Sequence, residues 1–299
     1  MGDLTRESTS RFAKAGDLTL HYHEAGAATE TGGGLPLVML HGGGPGASAW
    51  SNFGSSLEPF AGLFRTLLID QPGFGESDKP EVEGHFFTFA ADKLAALLDE
   101  LGIEKVHLLG NSLGGGTAVR FALKYPRRVG RLILMGPGGL SLNLFAPDPT
   151  EGIKRLYEFG APPGPSKEKM AAFISTMVAD QSLVTDELVE ERFASATAPG
   201  VAEAMASMGA SFAKPETFEE GFLWREAYKL RHPVLLTWGR EDRVNPLDGA
   251  LAALKLIPKA SLHVFPNCGH WAQIEAAEEF FAVASGYLAL HHEKPRTHD

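Results

Sequence analysis

Ser112 stands in Gly110-Asn-Ser112-Leu-Gly114, with a short apolar run, Val106 to Leu109, before it and a stretch that fits a helix, Gly116 to Lys124, after it. A serine hydroxyl becomes a useful nucleophile only when a base takes its proton, and a carboxylate must hold that base in the right tautomer. The chain offers both further along: Asp242 in Gly239-Arg-Glu-Asp242-Arg-Val and His270 in Asn267-Cys-Gly-His270-Trp271. The G-x-S-x-G spacing has its own logic. Small residues two positions to either side let strand and helix pack closely, and the sharp turn between them lifts the hydroxyl above the sheet. The free amides of the following helix face the same point and favour an oxyanion there. An ordinary strand-to-helix turn would show the same five residues, so the reading rests on the two partners.

Each partner has rivals. Asp242 could simply cap a helix after Val244, and Glu241 and Asp248 are alternative carboxylates. His41 competes with His270 but opens a glycine-rich loop, where a structural bond to backbone is its better reading. Cys268, two residues from His270, would leave Ser112 without purpose as a nucleophile and reads as a small packed hydrophobe.

The elements that must position these residues follow from periodicity. Residues 11 to 25 alternate through Leu18, Leu20 and Tyr22 and predict an edge hairpin. Leu37-Val-Met-Leu40, Leu67-Leu-Ile-Asp70, Arg131 to Met135, Pro233 to Trp238 and Ser261 to Phe265 are short buried strands, and Phe89 to Leu101 is helical through Leu94, Leu97, Leu98 and Leu101. Strands alternating with helices predict a mostly parallel, doubly wound α/β sheet. The pattern breaks between Leu140 and Phe212, where helices are expected at Gly152 to Phe159, Lys167 to Val178, Thr185 to Ser195 and Val201 to Phe212. Four of the seven methionines (Met170, Met177, Met205, Met208) fall there and suggest an adaptable helical lid over the serine. The expected division is a core of residues 1–140 and 213–299 with a lid of residues 141–212.

His41-Gly-Gly-Gly-Pro-Gly46 directly follows a strand. It lacks the Lys-Ser/Thr of a phosphate-binding loop and the full G-x-G-x-x-G spacing, so nucleotide binding is rejected. Gly43 and Gly44 instead suit a loop whose backbone amides approach an oxyanion with no side chain in the way.

Composition bounds the rest. A hydrophobic content of 44% and charged content of 21% over 299 residues describe a globular chain, and a net charge of -10 with no basic block argues against nucleic acid. One cysteine allows no intrachain disulfide, no apolar run approaches a membrane span, and the first residues carry no signal pattern, with Arg6 where myristoylation wants Ser or Thr. A cytoplasmic enzyme is the expectation. The polar tail from His291 to Asp299 is expected to fray, its histidines solvated.

Ser112, Asp242 and His270 occur in the chain order of α/β-hydrolases. The segments His41-Gly-Gly-Gly-Pro-Gly-Ala47, Trp50-Ser-Asn52, Gly110 to Gly115, Met135-Gly-Pro-Gly-Gly139, Trp238-Gly-Arg-Glu-Asp242 and Cys268-Gly-His-Trp271 together resemble the meta-cleavage product hydrolases of that superfamily. Those enzymes split a carbon-carbon bond in 2-hydroxy-6-oxo-hexa-2,4-dienoates. Ser141 to Glu151 and Arg240 to Asp248 look most like the steroid-degrading branch, which acts on a 4,5-9,10-diseco steroid acid. The resemblance implies an α/β-hydrolase fold with an inserted helical lid. It implies Ser112, His270 and Asp242 as triad, an oxyanion hole from the N–H groups of Gly43 and Leu113, and dienoate contacts at Gly44, Asn52, Asn111, Arg192 and Trp271. It further implies no metal or organic cofactor, a small acidic substrate with a hydrophobic tail, and a homodimer or homotetramer.

Arg192 is also notable by itself. Its helical neighbours at three and four residues are Leu188, Val189, Ser195 and Ala196, so no ion pair is available along the helix and the guanidinium is free to grip a carboxylate. An Arg lying along the surface is the plainer reading. Two rivals stand beside the carbon-carbon hydrolase: an esterase or iminopeptidase, which the same triad would serve, and a ligand-binding protein that keeps the pocket without turnover. Biphenyl- or alkyl-type dienoates are the alternatives to a steroid substrate. Dehalogenase and epoxide hydrolase chemistry would need a carboxylate at position 112.

Overall fold

A computed structural model describes residues 4–290; the C-terminal tail discussed above lies outside the described residues. Eight strands form one sheet: β1 (Ser10–Ala15), β2 (Leu18–Ala25), β3 (Leu37–Leu40), β4 (Thr66–Ile69), β5 (Val106–Asn111), β6 (Val129–Met135), β7 (Val234–Gly239) and β8 (Ala260–Phe265), in the order β1-β2-β4-β3-β5-β6-β7-β8. The β1-β2 hairpin and the β2-β4 pair are antiparallel, and β4 through β8 are parallel.

Parallel strands covered on both faces read as continuous apolar runs. β3 shows how one run serves two cores: Val38 and Leu40 pack with Leu108, Leu132 and Phe86 on one face, while Leu37 and Met39 pack with Phe53, Phe60, Ile133 and Phe280 on the other. The helices Phe86–Glu100 and Leu113–Lys124 cover the first face; Ala49–Ala61 and Ala277–Ala289 cover the second. The register aligns the carboxyl ends of the parallel strands, Leu40 beside Gly110, Asn111 beside Met135 and Gly239 beside Phe265. His41, Ser112, Asp242 and His270 all lie just beyond that rim, where open α/β sheets carry their sites.

The structure corrects two expected helix starts and adds a helix. The helix expected from Phe89 begins at Phe86. The helix after Ser112 begins at Leu113, not at Gly116. A helix at Ala49–Ala61 was not read at all, because Gly54 and Pro59 interrupt its pattern; the reciprocal Ser48–Ser51 capping box starts it nonetheless.

No strand lies between β6 and β7. The helices there, Glu151–Gly160, Lys167–Met177, Asp186–Ala196 and Val201–Ser211, fall within two residues of their expected bounds. They bury a cluster of their own, including Phe159, Met170, Phe173, Ile174, Met177 and Val189, which reaches down to Val244 and Trp271 beside the expected triad residues. The four methionines do not act as one lining: Met170 and Met177 belong to this cluster, whereas Met205 and Met208 pack on the main core.

Candidate active site

Ser112 holds φ 51 and ψ -112, one of two non-glycine residues with positive φ among those described. That conformation is costly for an L-residue and persists only where its surroundings enforce it. They do: its N–H donates to Met135 O at 2.9 Å, and its carbonyl accepts from Gly138 N at 2.8 Å and Gly116 N at 3.0 Å. A Cβ on Gly114 would strike the carbonyls of Leu40 and His41, and one on Gly110 would strike Gly114, so the glycines are needed for strand and helix to meet.

His270 Nδ1 lies 2.7 Å from Asp242 Oδ2, and both side chains are buried. A carboxylate can only accept, so Nδ1 carries the proton. Nε2 then presents a lone pair, and it is buried with no hydrogen-bond partner. The other oxygen of Asp242, Oδ1, accepts from Val244 N at 2.8 Å and Asn245 N at 2.9 Å. No helix begins directly after Val244, so Asp242 caps none: its Oδ1 closes the turn at Val244 and Asn245 while its Oδ2 holds His270. The pair backs against the end of β6, where a Cβ on Gly136 would lie 3.0 Å from Asp242 Oδ2 and 3.2 Å from His270 Nδ1. Asn111 Nδ2 reaches Met135 O and His270 O, both at 3.4 Å, and ties the serine turn to the histidine loop.

The rivals are occupied elsewhere. Glu241 accepts from Arg240 Nε and Cys268 N, and Asp248 accepts from Leu144 N and Phe145 N. His41 accepts from Gln71 N at Nε2, so Nδ1 donates to Gly42 O at 2.7 Å, and complete burial holds its basicity down. Burial and the neighbouring Glu275 push the Cys268 thiol up, away from a reactive thiolate.

The glycine loop packs directly on the serine turn. A Cβ on Gly42 would sit 2.7 Å from Asn111 Oδ1 and 3.4 Å from Ser112 Cβ, and one on Gly43 would sit 3.1 Å from Leu113 Cδ2. Gly43 and Leu113 are thus adjacent, and small residues are required for it. Gly44 has φ +122, and its added Cβ would lie 2.7 Å from Phe173 of the inserted helices. Arg192, from the helix Asp186–Ala196, reaches the same loop: Nε and Nη2 donate to Pro45 O at 3.2 and 3.0 Å and Nη1 to Ser51 Oγ at 3.2 Å. Its guanidinium lies 5.5 Å from the Trp271 ring and is 2% exposed. No carboxylate pairs with it among the described residues, and burial lowers its pKa from 12.5 to about 10. The surface reading of Arg192 is excluded.

A model of the alpha/beta hydrolase fold matches residues 36–277. The 2-hydroxy-6-oxo-6-phenylhexa-2,4-dienoate hydrolase of Comamonas testosteroni is 40% identical over 294 residues, covering 96% of this chain and 99% of that one. The 2-hydroxy-6-oxononadienedioate/2-hydroxy-6-oxononatrienedioate hydrolase 2 of Pseudomonas putida is 42% identical over 296 residues, covering 96% and 98%. The solved meta-cleavage product hydrolase of Pseudomonas fluorescens superposes with a TM-score of 0.80 at 34% identity, over 93% of this chain and 96% of that one. The chain belongs to the meta-cleavage product hydrolases.

As a meta-cleavage product hydrolase it is an enzyme acting on carbon-carbon bonds. Several buried polar atoms of this hydrolase lack partners among the described residues. Asn52 Oδ1, Asn111 Oδ1 and Gln273 Oε1 are buried without hydrogen-bond partners, as is His270 Nε2. Unpaired buried polar atoms are costly; Asn111 adjoins Ser112 in the chain, and Asn52 and Gln273 form a separate bonded pair. Asn52, Asn111 and Trp271 were singled out in the sequence. Gln273 was not, although its Nε2 donates to Asn52 O at 3.2 Å; its position two residues past Trp271 was the only available signal. Phe173, Ser51 and the Pro45 carbonyl were missed too, for their roles are set by long-range contacts. Among the described residues no group of three or more His, Cys, Asp or Glu side chains could hold a metal ion, and no helix is long and apolar enough to cross a membrane.

Proposed function

We propose that this enzyme hydrolyses the carbon-carbon bond beside the 6-oxo group of a 2-hydroxy-6-oxo-hexa-2,4-dienoate, with Arg192 holding the substrate carboxylate. The observation that carries the reading is the buried guanidinium: a desolvated cation with only a carbonyl and a hydroxyl as partners, stacked on Trp271 next to His270, suits an anionic substrate. The names of the two relatives, a 2-hydroxy-6-oxo dienoate hydrolase and a 2-hydroxy-6-oxo dienedioate/trienedioate hydrolase, support the same class.

In the proposed sequence His270 first moves the 2-hydroxyl proton, and the dienol becomes a 2-oxo enone. Ser112 then attacks the 6-oxo carbon as Nε2 takes the hydroxyl proton. The amides of Gly43 and Leu113 hold the resulting oxyanion. Collapse breaks the C5–C6 bond, its electron pair is delocalised onto the 2-oxo group through the conjugated chain, and the imidazolium of His270 returns the serine proton to the departing dienolate. Water, deprotonated by His270, releases the acid from Ser112. Asn52, Asn111 and Gly44 contact the dienoate, Gly44 through its backbone. The helices of residues 141–212 act as the lid. For the group beyond C6 we propose a ring system derived from a 4,5-9,10-diseco steroid, from the likeness of Ser141 to Glu151 and Arg240 to Asp248; a phenyl group, as in the Comamonas relative's name, is the alternative. We also propose a cytoplasmic homodimer or homotetramer. A large exposed aromatic, Phe145 at 90%, and the edge strand β8 support assembly.

Steady-state loss of dienolate absorbance with a phenyl and a seco-steroid substrate tests this. A steroid preference above about tenfold in kcat/KM, roughly 1.4 kcal/mol, upholds the full reading. Preference for phenyl retains the mechanism and moves the substrate. No turnover of either, with hydrolysis of a simple ester, replaces it by an esterase.

A further inference from the structure

Glu275 closes the short helix Ala272–Glu275 that follows Trp271. Its carboxylate makes no ion pair among the described residues and accepts three backbone amides. Oε2 takes Gly269 N at 2.6 Å, in the loop that carries His270. Oε1 takes Ala179 N at 2.7 Å and Asp180 N at 2.9 Å, in the inserted segment just past the helix Lys167–Met177. The two segments also touch directly: His270 N donates to Met177 O at 2.7 Å, and a Cβ on Gly269 would lie 2.7 Å from that carbonyl. Charge-assisted bonds of this kind are about twice as strong as neutral ones, and a carboxylate's two acceptor oxygens let it take one segment on each side.

We infer that Glu275 is a positioning residue for the general base, setting His270 over Ser112 by joining its loop to the inserted helices. The inference rests on the proposed catalytic roles of Ser112 and His270. Residues 268–271 form no regular strand or helix, so contacts fix the height of the imidazole: Nδ1 is bound to Asp242, Asn111 Nδ2 and Glu241 hold His270 O and Cys268 N from the core side, and Glu275 and Met177 hold Gly269 N and His270 N from the side of the inserted helices. Misplacing a base by about 1 Å can cost on the order of 100-fold in rate.

Wild type, S112A, E275Q and E275D are compared on one dienoate, with the folded fraction read by circular dichroism. An amide turns its NH₂ toward one of the donor amides, so E275Q loses one side of the junction. The expected result is a fall in kcat of about 10- to 100-fold with KM within about twofold, a matching slowing of acylation by an activated ester, and partial recovery in E275D. A lowered melting temperature in E275Q with kcat and the acylation rate unchanged overturns the inference and leaves Glu275 a structural tie. If wild type itself fails to consume the dienoate, or S112A is as active, the functional reading falls and this inference with it; wild-type turnover lost in S112A but kept in E275Q defeats the inference alone.

Discussion

Replacing Arg192 by Met separates a functional cation from a structural one. The guanidinium is buried, and burial alone lowers its pKa from 12.5 to about 10. That gap corresponds to a cost on the order of 3 kcal/mol for keeping the cation in the folded protein. The sign follows from linkage: between pH 10 and 12.5 the native state binds fewer protons than the unfolded chain, so stability rises with pH across that window and the cost is fully present at pH 7. Met removes the charge but leaves Pro45 O without its two donors, a penalty of about 1–3 kcal/mol. The balance lies between zero and about 2 kcal/mol in favour of the variant, so its melting temperature is unchanged or several degrees higher. Activity moves the other way. A charge-assisted bond to the substrate carboxylate contributes about 1.5–3 kcal/mol, so kcat/KM falls by about 10- to 150-fold. The decisive assay uses the dienoate and its methyl ester with both proteins. Wild type loses rate on the ester, whereas R192M treats acid and ester alike. Equal loss on both substrates, together with a melting temperature several degrees lower, would refute the argument and make Arg192 a structural strut for the Pro45 loop.

Two further outcomes follow from the geometry. D242N keeps an acceptor for the Val244 and Asn245 amides but turns a donor toward His270 Nδ1, which reverses the tautomer. It should lower kcat by about 10⁴-fold at little cost in stability, and a loss below tenfold would show that Asp242 does not orient the base. His85 and His23 are held at about 4 by burial, so each must take up a proton on unfolding below its ordinary value near 6.5. Stability is therefore lost as pH falls from about 6.5 toward 4. H85N, which still caps the helix Phe86–Glu100, should flatten that loss by up to about 1.4 kcal/mol per pH unit in urea titrations; superimposable slopes for variant and wild type would rule this out.

What the sequence disclosed was mostly local. The run Leu37 to Leu40 is a strand with those bounds, and the four inserted helices announce themselves by period, caps and prolines. The helix after Ser112 was read three residues short because Gly114, Gly115 and Gly116 are poor helix formers. Their reason is tertiary: a Cβ on Gly116 would enter the Phe87 ring and one on Gly115 would touch Pro137. In the site, Ser112, Asp242 and His270 could be picked out by type and order. The choice of Asp242 over Glu241 and Asp248 needed coordinates, since all three are carboxylates within seven residues and only partner geometry separates them. Gln273 carried no sign beyond its nearness to Trp271 and Glu275 none, because an amide or acid on a short helix is ordinary until its partners from distant segments are known.

The two halves of the inserted region are fastened to different parts of the core. The first pair of helices is bound to the loops that carry Asp242 and His270: Arg243 donates to Ser175 O and Val178 O, Thr150 Oγ1 to Val244 O, and Glu275 accepts from Ala179 and Asp180. The second pair is bound to the glycine loop and to the approach of another helix, through Arg192 to Pro45, Val82 N to Ser207 and Phe86 N to Ser211. Recombination among relatives meets this as a compatibility problem. A chimera that exchanges residues 141–212 as one block severs both sets of bonds, and a new specificity imported that way arrives with a disturbed catalytic loop. Crossovers that carry Arg243 and Glu275 with the first pair, or exchange the second pair alone, keep each graft with its own fastenings.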